Sequence, residues 1–166
     1  LMAVGEPMGL KPGHTSSIRR IEGGMLSYHA DMDAQTNPFE LGLDRLVDLE
    51  MPADFIGKAA LKQVQQQGIS RQQIGLVIDG EPLSGPNTQF WPVERGGEVI
   101  GKVTSAVYSP RLKKNIALAM VASAHSAVGA TCDIQLPGET RGGTIVPKPF
   151  YDPKKQITAG ATTSAA

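Results

Sequence analysis

The spacing of apolar residues along the chain changes after Gly68, from a helical period to a strand-like one. Before that glycine, residues 58–67 are good helix formers, and Leu61 and Val64 lie on one narrow apolar stripe. Glycine readily adopts the left-handed conformation that ends a helix, so Gly68 is the expected stop. The pattern therefore predicts a helix over 58–67.

A shorter helix is expected near the beginning of the chain. In residues 15–24, Thr15 or Ser16 can cap the N-terminus, apolar side chains recur three positions apart, and two glycines follow. The stretch 43–49 comes after an Asn-Pro turn and has partly alternating apolar residues, which indicates mainly a strand. Residues 1–14 contain turn formers and predict no element of their own.

Beyond residue 70 the apolar runs become short and β-like. Turn residues, mostly glycine and proline, separate them at spacings of about 8 to 12 residues, which is typical of a β-sandwich or barrel. The six expected strands are QIGLVID, TQFWPV, EVIGKVTSAVY, IALAMV, TCDIQL and TRGGTIVP. An all-β module is predicted over about 70–150, and the polar, Thr/Ala-rich end is expected to be a loose tail.

Composition narrows the class of protein. Sixteen acidic and sixteen basic side chains among 166 residues leave no net charge to attract a polyanion over long range. A single cysteine, Cys132, allows no internal disulfide and fits a reducing compartment. No apolar run approaches the roughly eighteen residues that span a bilayer. The expectation is a cytoplasmic protein that binds neither nucleic acid nor membrane.

Several short motifs favour structural roles over chemistry. Arg20 and Glu22 flank an isoleucine on the short helix, a pattern that favours packing between parts of the fold. Asp31 and Asp33 lie in DMDAQTN, which lacks the glycine and distal glutamate of an EF-hand, so both are interpreted as solvated loop carboxylates. The three histidines are scattered without metal-ligand spacing, and no metal site is expected. ERGGEV is interpreted as a tight turn.

Six stretches together resemble the folate-dependent aminomethyltransferase family, represented by the T-protein of the glycine cleavage system. The matching runs occur in family order and cover nearly everything from about Ser16 to Phe150. They are RRIEGGMLSYHADMD, NPFELGLDRLVDL, DFIGKAALKQVQQQG, IGLVIDGEPL, GGEVIGKVTSAVYSPRLKKNIALAMV and VGATCDIQLPGETRGGTIVPKPF. NPFELGLDR after RIEGGMLSY looks closer to the dimethylsulfoniopropionate demethylase branch. Ser16 and Ser17 stand where glycine-cleavage members usually carry Arg-Asp, which counts against aminomethyl transfer from a lipoyl carrier.

The resemblance implies an α+β architecture with a C-terminal barrel. Residues 1–53 would end a ferredoxin-like folate-binding domain, 54–69 would form a linking helix, 70–150 an antiparallel β-barrel or jelly roll, and 151–166 a flexible tail. It further implies a missing N-terminal half, which carries the catalytic aspartate and the acidic residue that holds the pterin ring. That half is an expected partner, and the catalytic residues are unassigned in this sequence.

The resemblance also implies tetrahydrofolate as cofactor, because the family transfers a one-carbon group to its N5 atom. Three functions stay open. The first is a methyltransferase or demethylase acting on a small sulfonium or amine donor. The second is an aminomethyltransferase of the glycine-cleavage type, and the third is a non-catalytic folate-binding or assembly module. A sulfonium is already activated for methyl loss, so positioning can supply much of the rate.

Four side chains are candidate folate contacts. Tyr28 directly follows the RIEGGMLS run, and Tyr108 lies where a strand is expected to enter a loop; either ring could form a wall of the pterin pocket. Arg71 leads into the first barrel strand, and Arg111 begins the basic run RLKK. Either guanidinium could pair with the carboxylates of the folate tail. The alternative roles are packing for the tyrosines and solvation for the arginines.

Overall fold

The computed structural model describes residues 1–11 and 16–157, and a closed barrel of six antiparallel strands forms its centre. Neighbouring strands around the barrel follow the order β1, β4, β3, β2, β5, β6, and β6 pairs with β1 to close it. The strands are β1 (Arg71–Ile78), β2 (Trp91–Arg95), β3 (Glu98–Ser109), β4 (Lys114–Ala122), β5 (Thr131–Leu136) and β6 (Glu139–Val146). All six predicted strands are confirmed, and the barrel alternative is the correct one.

Apolar side chains from all six strands fill the barrel interior. Leu76, Val93, Val103 and Ile134 are fully buried, since alternate residues of each strand point inward. Cys132 lies in the same cluster, as expected for a small apolar residue, and burial raises the pKa of its thiol to about 11. A thiol with a raised pKa is a poor nucleophile, so this cysteine is structural.

Glycines set two local features of the barrel. Gly96 and Gly97 adopt φ angles of 61° and 83° and form the β2–β3 turn, which confirms the tight turn predicted for ERGGEV. Gly101 of β3 lies opposite Val121 of β4. A methyl group there would overlap the carbonyl oxygen of Met120 and lie 2.6 Å from Cα of Val121. Only a residue without a side chain fits this position.

In the described part of the chain, three α-helices precede the barrel: α1 (Met2–Gly5), α2 (Ser17–Glu22) and α3 (Lys58–Gln67). Helix α2 confirms the predicted short helix, and the Ser16 hydroxyl caps it by accepting the N–H of Arg19. The alternative cap, Thr15, lies outside the described residues. The helix buries Ile21 against the outer side of the barrel, beside Ile116 and Leu118. Helix α2 therefore covers the outer side of the barrel.

Helix α3 has the predicted bounds, and it ends at Gly68, which has a φ of 79°. None of its residues is buried, although Leu61 and Val64 are partly covered. Within residues 1–11 and 16–157, no helix is long and apolar enough to cross a membrane. Over the same residues, no group of three or more histidine, cysteine or acidic side chains could hold a metal ion.

The predicted strand over 43–49 is wrong. The chain forms a 3₁₀ turn at Asp44–Leu46 instead, and the side chain of Leu46 is 66% exposed. Local hydrogen bonds hold this conformation, including Leu46 N–H to the Leu43 carbonyl at 2.9 Å. No strand lies beside this stretch in the described structure, so its alternating apolar residues have no ladder to join. The ferredoxin-like assignment of 1–53 stays a prediction.

Candidate functional site

A buried carboxylate, Asp31, fastens the segment before the barrel to strand β3. Its Oδ2 atom accepts Arg20 Nη1 at 2.6 Å and the Ser27 backbone N–H at 2.9 Å. Its Oδ1 atom accepts the hydroxyls of Thr104 at 2.6 Å and Ser105 at 2.7 Å. The prediction of a solvated Asp31 is wrong, because these four donors replace the water that burial removes.

The Arg20 guanidinium completes this junction. It donates to the Ser105 hydroxyl at 2.8 Å and to the Met25 carbonyl at 2.9 Å, in addition to Asp31. The expectation that Arg20 serves packing between parts of the fold is confirmed. Asp33, by contrast, is exposed as predicted, and hydrogen bonds led by the Gln35 backbone N–H lower the pKa of its carboxyl.

A second buried carboxylate, Glu22, organises a corner where α2, the β3–β4 turn and the chain after β6 meet. Its Oε1 accepts the Ser109 hydroxyl at 2.5 Å. Its backbone carbonyl accepts the N–H groups of Phe150 at 2.9 Å and Tyr151 at 3.0 Å. Nη1 of Arg111 lies 3.9 Å from the other carboxylate oxygen. The structural role expected for Glu22 is thus confirmed.

Arg111 stands at the outer side of this corner with its side chain half exposed. Its guanidinium carbon lies 4.2 Å from the centroid of the Tyr151 ring, a cation–π contact. Lys113 follows in the same turn and Lys114 begins β4, and both are exposed. With one loose ion pair and one ring contact, Arg111 keeps N–H donors that can reach an external carboxylate.

Arg71 is already engaged within the chain. Its Nε atom donates to Glu40 Oε1 at 3.0 Å, and its Nη2 atom donates to Glu40 Oε2 at 3.3 Å and to the Gln35 carbonyl at 2.8 Å. The hydrogen bond with Glu40 raises the pKa of Arg71 above its ordinary value. The carboxylate that Arg71 binds is therefore an internal one, which places it in the junction between the barrel and the preceding segment.

The two predicted tyrosines lie in different environments. Tyr28 is 54% exposed on a loop, whereas Tyr108 is half buried within β3. Tyr108 pairs with Asn115 of β4, and Arg71 pairs with Ala122 of the same strand. These β4 positions are seven residues apart, which corresponds to about 24 Å along a strand. Arg71 and Tyr108 therefore mark distant parts of the barrel wall.

Sequence reasoning missed the aromatic partner of Arg111. Tyr151 was assigned to a loose tail, because the polar residues after it suggest nothing to bury. The available signal was its position directly after Phe150, because two adjacent aromatic side chains carry a large apolar surface that favours burial. The rest of that predicted tail, from residue 158, lies outside the described residues.

The fold and this corner define a class: a closed six-stranded barrel domain with a cationic, aromatic surface at its junction with a preceding segment. Residues 71–152 match the family model described as the glycine cleavage T-protein C-terminal barrel domain. Residues 1–51 match the GCVT N-terminal domain. The chain belongs to the glycine cleavage T-protein family.

Relatives and a solved structure agree with this assignment. The chain is 41% identical over 132 residues to an aminomethyltransferase of Synechococcus sp. (strain CC9902), which covers 80% of this chain and 35% of the relative. It is 40% identical over 152 residues to one from Thermosynechococcus vestitus, covering 91% and 40%. The crystal structure of the glycine cleavage system aminomethyltransferase T from Bartonella henselae has a TM-score of 0.73 and 25% identity, covering 82% of this chain and 38% of that one.

The chain thus spans between about a third and two fifths of the length of these relatives. All three are aminomethyltransferases, which favours the glycine-cleavage alternative over the demethylase interpretation. None of the three is a demethylase, so the branch predicted from NPFELGLDR after RIEGGMLSY is not supported, and Ser16 and Ser17 in place of Arg-Asp do not outweigh the match to aminomethyltransferases.

Proposed function

We propose that this chain forms the barrel part of a tetrahydrofolate-dependent aminomethyltransferase of the glycine-cleavage type, located in the cytoplasm. The observation that carries the proposal is the match of both family models, in family order, on a chain about 40% identical to aminomethyltransferases. Because the chain covers two fifths or less of those relatives, we propose that a preceding domain supplies the catalytic aspartate and the pterin pocket.

The described residues fit one portion of tetrahydrofolate. Arg111 presents N–H donors at the surface, next to the Tyr151 ring, and this arrangement suits the carboxylates of the glutamyl tail. Arg71 does not fit, because Glu40 already occupies its guanidinium. We therefore set Arg71 aside and retain Arg111, with Tyr151 added as its platform. Tyr28 and Tyr108 stay predicted walls of the pterin pocket.

The proposed task of this chain is binding and orientation. Tetrahydrofolate, when bound, supplies the N5 atom that accepts the one-carbon group. Glu22 holds the Ser109 hydroxyl at one end of the β3–β4 turn, and its backbone carbonyl holds Tyr151. Glu22 therefore fixes both the turn that carries Arg111 and the backbone of Tyr151, whose ring Arg111 contacts. A guanidinium positioned in advance loses less conformational freedom when it binds a carboxylate.

The activity test uses this chain within a protein that also contains the preceding family domain. The donors are an aminomethylated lipoyl carrier protein and, in parallel, dimethylsulfoniopropionate, and folate products are measured by chromatography. We expect one-carbon transfer from the lipoyl carrier only. Transfer from the sulfonium alone would overturn the proposal in favour of the demethylase alternative, and tetrahydrofolate binding with neither transfer would favour the non-catalytic module.

The binding test compares Arg111→Ala with Lys113→Ala in the same protein. Calorimetry with tetrahydrofolate should show affinity reduced by about five- to tenfold for Arg111→Ala, the loss of roughly 1 kcal/mol expected for an exposed ion pair. Lys113→Ala removes a neighbouring exposed charge and should change affinity little. Equal losses in both variants would indicate a general field effect and not the Arg111 contact.

A further inference from the structure

A lysine lies partly buried beside the barrel without a carboxylate partner. Lys148 follows β6, and its Nζ atom donates to the Leu41 carbonyl at 3.3 Å and to Oε1 of Gln73. An ammonium has three N–H donors, and the part of the chain that the structure describes supplies acceptors for only two of them. Gln73 itself is buried, and its Nε2 atom has no hydrogen-bond partner within the described residues.

Lys148 lines a cavity of about 460 Å³ between the 23–26 segment that follows α2, the 41–45 loop and the chain after β6. Much of its wall is apolar, and this part consists of Met25, Leu26, Met32, Leu41 and Leu43. The charged side chains that line it are all basic: Lys148, Arg45 and Lys155. Such a cavity is the size of a typical small-molecule site.

Two of the basic side chains in this cavity, Lys148 and Arg45, lack a carboxylate partner among the described residues. No carboxylate in residues 1–11 or 16–157 lies within ion-pair distance of Lys148 or Arg45. The carboxylate of Asp31 affects Lys148 at longer range, but Arg20 and three other donors already occupy it. Burial accordingly lowers the pKa of Lys148 to about 8. A cation removed from water is favourable only with a compensating partner.

We propose that this cavity binds the carboxylate of a small organic acid that has an aliphatic or aromatic body. The carboxylate would accept the remaining N–H of Lys148 and the guanidinium of Arg45, while the body of the acid would lie against the methionine and leucine side chains. Such a ligand fits both the apolar wall and the basic side chains of the cavity. The apolar wall disfavours a fully polar anion, and the basic side chains disfavour a neutral ligand. The site uses neither Arg111 nor Tyr151, so it stands independently of the proposed folate contact.

The experiment uses the 166-residue chain with ¹³C-labelled methionine methyl groups and hexanoate as the probe. Two of the six methionines, Met25 and Met32, line the cavity, whereas Met120 lies elsewhere on the barrel. We expect hexanoate to shift the Met25 and Met32 signals in a saturable way at concentrations on the order of 1–10 mM, a typical range for a small fragment. Hexanamide, which has the same body without the charge, should cause no saturable shift.

Two variants test whether Arg45 and Lys148 bind the carboxylate of hexanoate. Arg45→Met and Lys148→Met should each weaken hexanoate binding at least about fivefold. Lys102→Met is the matched control, because it removes an exposed lysine from a different groove and should leave the affinity unchanged. Arg45 is exposed, so its variant keeps the test valid if Lys148→Met does not fold.

Three results would overturn the proposal. One is equal binding of hexanamide, and another is unchanged affinity in Arg45→Met. The third is the absence of any saturable shift of Met25 or Met32 by hexanoate. A repeat with a protein that also contains the preceding family domain should show the same shifts; their loss there would mean that a carboxylate of that domain occupies the site.

Discussion

The barrel strands form a closed hydrogen-bonded ladder around an apolar interior. Residues 16–50, by contrast, have one isolated β-bridge and contact the barrel largely through charged side chains. A ladder positions many residues through repeated backbone hydrogen bonds. The preceding segment has no such repeat, and each of its three buried carboxylates meets a partner on the barrel. These contacts are Asp31 with Ser105, Glu22 with Ser109, and Glu40 with Arg71.

This difference shows how an irregular segment can be placed accurately. A buried charge contributes little net stability, but it strongly penalises arrangements in which its partner is absent. Hydrophobic contacts such as that of Ile21 with the outer barrel hold the segment on the surface. The carboxylates then select one position on that surface. We therefore expect a substitution at the junction to loosen mainly the preceding segment, and a substitution in the ladder to loosen the whole barrel.

The largest effect is expected from Asp31→Ala. The change leaves Arg20 without its carboxylate and removes the acceptor of Ser27 and Ser105, whereas the Thr104 hydroxyl keeps the Leu118 carbonyl at 3.0 Å. The unfolding free energy should fall by about 3–5 kcal/mol. Urea denaturation measures this loss. Hydrogen exchange should become faster in residues 16–33 than in the barrel strands. Asp33→Ala, an exposed neighbour, is the control, and an equal effect of both variants would contradict the role assigned to Asp31.

Gly101→Ala tests the barrel side of the comparison. The added methyl group overlaps the Met120 carbonyl of the neighbouring strand β4, so a loss of about 2–4 kcal/mol is expected. Exchange should become faster throughout the barrel, because the ladder is shared. Gly85→Ala is the matched control, since a methyl group there meets no atom within 4 Å. Similar melting temperatures for both variants would refute the packing argument.

Glu40→Ala should have a smaller effect, about 1–2 kcal/mol. It leaves Arg71 unpaired, but the side chain of Arg71 is 41% exposed and can recover water. The matched comparison is Glu139→Ala, which removes an exposed partner of Arg141 within the barrel and should cost less than 1 kcal/mol. Thermal unfolding of the two variants measures the difference. A larger loss for Glu139→Ala would contradict the distinction between junction and surface pairs.

The smallest expected effect is a pH dependence set by Lys148. Its pKa is lowered from 10.5 to about 8 in the folded chain, so above pH 8 the unfolded state binds more protons than the folded state. Stability should therefore rise with pH, by about 1 kcal/mol from pH 7 to pH 9 after allowance for partial exposure.

Chemical denaturation at each pH measures the slope, and Lys148→Met should flatten it. The raised pKa of Cys132 acts in the opposite direction, because a folded thiol that holds its proton loses relative stability above pH 9. Measurements below that pH separate the two groups. A slope that persists in Lys148→Met would assign the effect to another residue.

Local sequence determined most of the regular elements, with two exceptions. One is α1 (Met2–Gly5), which lies in a stretch that predicts no element of its own. The six strands, the α3 bounds and the Ser16 cap follow from periodicity and from residues that start or stop elements, because these signals act over a few neighbouring positions. The other exception is 43–49, where alternation alone indicates a strand. Alternation describes the faces of a strand but supplies no partner, and a strand without a ladder is not stable in water.

Tertiary structure decided which polar side chains meet. Asp31 and Asp33 are two residues apart in one loop, yet one is fully buried and the other exposed, since only Asp31 lies opposite the Thr104 and Ser105 hydroxyls. The pairing of Arg71 with Glu40 likewise depends on two segments 31 positions apart in the sequence. Sequence alone thus determined the barrel strands and the family resemblance, through local patterns and motif order. Only the folded chain decided the carboxylate junction, the Arg111 corner and the Lys148 cavity, because long-range contacts leave no local pattern.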